Sequence, residues 1–89
     1  MKAIVTVAGK DRVGIIAGVC NRLAGYNINV LDISQTVMQG YFTMMMVVDV
    51  SGSNVPLDEL SLRMEQEGRE ENLSIRIQRE DIFEAMHRV

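Results

Sequence analysis

The stretch Gly9-Lys10-Asp11-Arg12-Val13-Gly14-Ile15-Ile16 holds the residue types best suited to grip a small molecule. Alternation from Lys2 to Ala8 predicts a strand running into it, and the apolar spacing beyond it predicts a helix starting inside it. Gly9 lacks a Cβ and can take a positive φ, so the chain can turn sharply as it leaves the strand. Asp11 suits the helix N-cap, where its carboxylate would accept a bond from an orphaned N–H. Gly14 keeps the first turn bare, so a ligand can reach backbone N–H groups whose dipole favours a carboxylate or other anion. The chemistry implied is small-anion recognition at a strand-to-helix corner; the plainer alternative is an ordinary capped turn.

Other chemistries find less support. Cys20 falls on the apolar side of the predicted helix with no histidine near it in sequence, and reads as a buried, inert thiol. His87, the only histidine, reads as a surface residue near a helix end, where a cation is favoured. Met44, Met45 and Met46 cannot converge on a soft metal, because successive strand residues point to opposite faces. No C-x-x-C, H-E-x-x-H or P-loop pattern occurs, so no catalytic residue, metal site or cofactor is expected.

A second polar group, Asn27 and Asn29, precedes the second predicted strand at the far end of the first helix. An amino acid offers a carboxylate and an ammonium group. The helix start suits the first; an asparagine amide oxygen or Asp11 could accept from the second. One chain alone does not bring the two groups together, whereas a dimer mate could.

These residues need elements to hold them. Ala3, Val5 and Val7 form one face of the first strand; Ile15, Ile16, Val19, Cys20, Leu23 and Ala24 recur at helical spacing, with Gly25 a natural C′ stop. Val30 to Met38 forms a second strand, Gln39-Gly40 a hairpin turn, and Tyr41 to Val50 a third strand apolar on one face and half apolar on the other. Pro56, Asp58 and Glu59 open a second helix carrying Leu57, Leu60 and Met64, on whose apolar face Gly68 allows a close approach; its Glu65, Glu67, Glu70 and Glu71 read as a solvated face. Leu73, Ile75 and Ile77 mark a fourth strand, and Ile82, Phe83, Met86 and Val89 a short C-terminal helix.

Right-handed crossovers then interleave the strands in the order fourth, first, third, second. The expectation is an α+β, ferredoxin-like βαββαβ plait: a four-stranded antiparallel sheet with two helices on one face, plus the C-terminal helix. Residues 1–79 form this domain and residues 80–89 a helical extension. Ile4, Met45, Val47 and Tyr41 fall on the helix-free face, and such apolar surface calls for the C-terminal helix, a second copy, or both. Together with the second strand at a sheet edge, this predicts a homodimer.

The chain has 89 residues, 47% hydrophobic and 24% charged, which suits one folded domain without staples. A net charge of −3 with scattered Lys and Arg gives no basic footprint for nucleic acid. The adjacent Tyr41 and Phe42 face opposite ways and form no stacking platform. One cysteine precludes an internal disulfide, and neither a signal-peptide pattern nor a membrane span is visible, so the expected location is cytoplasmic.

The run Val7-Ala8-Gly9-Lys10-Asp11-Arg12-Val13-Gly14-Ile15-Ile16-Ala17, then Asn27-Ile28, then Gly40-Tyr41-Phe42-Thr43-Met44, resembles the ACT domain across nearly the whole chain. The ending, Glu80 to Val89, resembles the small stand-alone bacterial and archaeal ACT proteins. The resemblance implies dimerisation and an amino acid bound between paired domains. It places ligand contacts at Asp11, Arg12, Val13, Gly14 and Ile15, with Asn27 and Ile28. Many members have proline where this chain has Val13, which costs some rigidity at the helix start but keeps the glycine. ACT modules normally regulate an enzyme on the same chain; here the resemblance implies that any output passes to a separate partner, or that the domain acts differently. The expected function is non-enzymatic sensing of an amino acid or similar metabolite. The alternative is a ligand-free interaction module, and a small enzyme with the C-terminal helix as a lid is a distant third.

Overall fold

The structure, a computed structural model, describes residues 1–86. The predicted histidine at the helix end, His87, and the apolar Val89 lie outside the described residues. The element order is β1 (Lys2–Lys10), α1 (Ile15–Gly25), β2 (Asn29–Met38), β3 (Tyr41–Asp49), α2 (Leu57–Glu70), β4 (Leu73–Arg79) and α3 (Glu80–Met86). The strands form one antiparallel sheet in the order β2-β3-β1-β4, as expected from the two-sided apolar patterns of β1 and β3.

Register puts Val5 between Met46 and Ile77, and Val7 between Met44 and Ile75, so alternate residues of three strands form one continuous apolar floor. Ile15, Val19 and Leu23 of α1 and Leu60 and Met64 of α2 close over it, all buried. Each such side chain contributes about 1.5–3 kcal/mol when fully buried. Gly68 brings α2 down onto β4: a Cβ there would stand 2.8 Å from Ile75 Cγ1 and 2.9 Å from the Leu73 carbonyl oxygen.

Three local expectations need correction. Gly9 stays in β1 and is not among the positive-φ residues; its small size serves contact instead, since a Cβ would meet Leu73 Cδ2 at 2.7 Å. Asp11 does not cap α1; the N-cap is Gly14, and no side chain bonds into the first turn. Gly25 is the last helical residue, and the left-handed stop is Asn27 at φ 61°. There the Ile28 N–H donates to the Leu23 carbonyl at 3.0 Å and the Asn27 N–H to that of Ala24 at 2.9 Å, a Schellman closure sealed by the buried Leu23 and Ile28.

Candidate functional site

The corner between β1 and α1 is held from two sides. The Asp11 N–H donates to the Gly40 carbonyl at 2.8 Å, fixing the loop to the β2–β3 turn. Arg12 Nη2 donates to the Glu71 carbonyl at 2.8 Å, fixing it to the end of α2. Val13 between them is fully exposed. Gly14 then takes φ 93°, ψ 0°, with nothing within 4 Å of where a Cβ would sit. Its carbonyl accepts from the Gly18 N–H at 2.9 Å, so the helix begins here with its first-turn N–H groups uncapped by any side chain.

Beside that turn is a hollow of about 200 Å³ lined by Asp11, Arg12, Gly14, Ile15, Ile16, Ala17 and Phe42. Its chemistry is a carboxylate and a guanidinium at the mouth, bare backbone donors, and apolar walls. The corner half of the expected site, Asp11 to Ile15, is thus gathered in one place, with Val13 pointing to solvent. Asn27 and Ile28 are not with it. They lie beyond the other end of α1, whose 11 residues span about 16 Å. Asn27 Nδ2 donates to the Gly52 carbonyl at 2.8 Å and Ile28 is buried, so both serve the fold within one chain.

The ACT-domain profile matches residues 2–78. The chain belongs to the ACT-domain family. It is 53% identical to a UPF0237 protein of Listeria innocua over 100% of both chains. It is 44% identical to one from the archaeon Methanosarcina acetivorans, over 97% of this chain and 94% of the other. Among solved structures it is similar to an ACT domain protein from Streptococcus pneumoniae, with a TM-score of 0.83 and 48% identity over 98% of each chain. ACT domains generally bind small-molecule ligands in regulatory roles.

A feature of this ACT domain that its sequence did not disclose joins the two long helices. Arg22 Nη1 lies 3.2 Å from Glu67 Oε1, and its Nη2 bonds to Glu71 Oε2. The Tyr26 hydroxyl donates to Glu67 Oε2 at 2.7 Å, and the Arg63 guanidinium stands 5.9 Å from the Tyr26 ring centroid. The bond to the Glu67 carboxylate raises the Tyr26 pKa, because it favours the protonated phenol. Glu67 and Glu71 are therefore engaged, not merely solvated. Cys20 is half-buried against the core. Among the described residues no group of three or more His, Cys, Asp or Glu is placed to hold a metal, and no helix is long and apolar enough to cross a membrane.

Proposed function

We propose that the protein is a non-enzymatic regulator that binds an amino acid or similar small metabolite between two copies of the chain. The observation that carries this reading is the uncapped, side-chain-free first turn of α1 beside a hollow of about 200 Å³. Backbone N–H groups there suit the carboxylate, and Asp11 at the mouth suits the ammonium. The hollow is smaller than the roughly 300–1,000 Å³ of usual ligand pockets. A further wall is needed, and β2 supports a second copy as its source.

β2 is an edge strand with Leu31, Ile33, Val37 and Met38 exposed along it. Antiparallel pairing of two such edges about a twofold axis sets the Asn29 end of one against the Met38 end of the other. The Met38 end adjoins the Gly40 turn and, through it, the Asp11 corner. The exposed Asn29 at the start of β2 of one copy would then stand near the corner of its mate and supply that wall. Thermal unfolding against each of the twenty common amino acids tests this. A ligand at ~100 times its Kd adds ~2.7 kcal/mol of stability. No response to any of them, with no small molecule carried through purification, would leave the ligand-free interaction module.

A further inference from the structure

A second hollow, of about 540 Å³, lies beside the corner and is lined by Lys10, Arg12, Glu71 and Asn72. All four residues are polar or charged, and the volume falls in the roughly 300–1,000 Å³ range of ligand pockets. Arg12 also lines the smaller hollow beside Gly14, so the two hollows share it as a wall.

The two cations here are not neutralised within the chain. Lys10 forms no ion pair and no side-chain hydrogen bond among the described residues. Arg12 makes one bond, from Nη2 to the Glu71 carbonyl, and that acceptor is neutral. Its Nε and Nη1 take no acceptor among the described residues. The Glu71 carboxylate does not balance them, because Arg22 holds it. The Asn72 amide, on a residue at φ 60°, has no side-chain partner among the described residues either. Asp11, the nearest acid in sequence, lines only the smaller hollow. A guanidinium fork with free N–H groups and an ammonium in one polar hollow suit a carboxylate. Glu71 in the wall disfavours the doubled charge of a phosphate.

We propose that the metabolite is an acidic amino acid, whose side-chain carboxylate enters this second hollow and meets Arg12 and Lys10. The inference rests on the corner reading above, in which the α-carboxylate and the ammonium lie beside Gly14 and Asp11. Arg12, common to both hollows, is what lets one small molecule reach both.

Thermal unfolding of the full chain tests it, with glutamate, aspartate, glutamine and asparagine added at matched ionic strength, since exposed charges are screened by salt. One acid should bind about tenfold tighter than its own amide, the worth of one charge-assisted bond. Lys10→Gln should narrow that ratio and Lys10→Glu should abolish it; melting without ligand reports whether each variant folds. An amide that binds as tightly as its acid, or a Lys10→Glu chain that keeps the full ratio, would overturn this inference and leave the corner reading standing. Tighter binding of O-phosphoserine than of either acid would overturn it in favour of a phosphate site. No response to any amino acid would sink the corner reading and this inference together.

Discussion

The Asp11 N–H and the Gly40 carbonyl, 2.8 Å apart, tie the loop before α1 to the turn that ends β2. The corner before α1 and the exposed sheet edge are therefore joined by a backbone hydrogen bond. In the proposed reading, a molecule seated at the corner would act on the end of β2, and a strand paired to β2 would steady the corner. Ligand and assembly favour each other to the extent that the ligand binds the paired state better.

Gly14→Val removes the ligand response. Gly14 sits at φ 93°, which L side chains rarely adopt, and it lines the hollow, where a valine would take up space. The strain costs about 1–2 kcal/mol, within the 5–15 kcal/mol typical of a folded domain. Circular dichroism should show an intact fold, while thermal unfolding loses its dependence on added amino acid. A full response in this variant would place the pocket elsewhere.

Ile33→Lys separates edge-paired chains. Ile33 is exposed on β2, where a lysine is the common device against strand addition. The sedimenting mass should halve and the amino acid response should fall with it, because the partner's wall is lost. A response that survives in the halved species would mean that one copy completes the site alone.

Much of the fold was legible because two-residue and helical periods report burial directly. Val5, Val7, Met44 and Met46 alternate as a central sheet requires, and Gly68 was readable as a close-approach position. The corner was also legible in place, though not in mechanism. Gly9 and Asp11 read as turn and cap residues from their spacing along the chain, yet their roles are set by Leu73 and Gly40, far away in sequence. Gly25 was the expected helix stop, but Asn27 can also adopt the left-handed conformation, and the buried Ile28 decides for it. Glu67 and Glu71 read as solvated because their partners, Arg22 of α1 and its C-cap Tyr26, are more than 40 residues away in sequence.

Tyr26 makes stability fall at alkaline pH. Its folded pKa is raised above the model-compound value of 10.0, first by donation to Glu67 and then by burial. The folded state thus holds the phenol proton more tightly than the unfolded chain does. The associated stability is fully present below the unfolded value and is lost as pH rises from there through the folded pKa. Tyr26→Phe should flatten this alkaline decline. In a Tyr41→Phe background the phenolate absorbance of Tyr26 should appear later than in the unfolded chain. Coincident titration curves would rule out the shift.

Two glycine-to-alanine changes in helices should have opposite signs. At Gly18 in α1 a Cβ meets nothing within 4 Å, so alanine gains its usual helix advantage of about 0.5–1 kcal/mol. At Gly68 in α2 the same methyl would lie 2.8 Å from Ile75 Cγ1 and 2.9 Å from the Leu73 carbonyl oxygen. The side chain could turn away, but the backbone oxygen could not, so α2 must lift off β4. Overpacking of this kind costs about 1–3 kcal/mol, which exceeds the helix gain. For a domain of this size each kcal/mol moves the melting temperature by about 4–8 °C. Gly18→Ala should therefore raise Tm and Gly68→Ala lower it, with denaturant slopes unchanged. A Gly68→Ala chain at least as stable as the wild type would mean that α2 and β4 are not packed this closely.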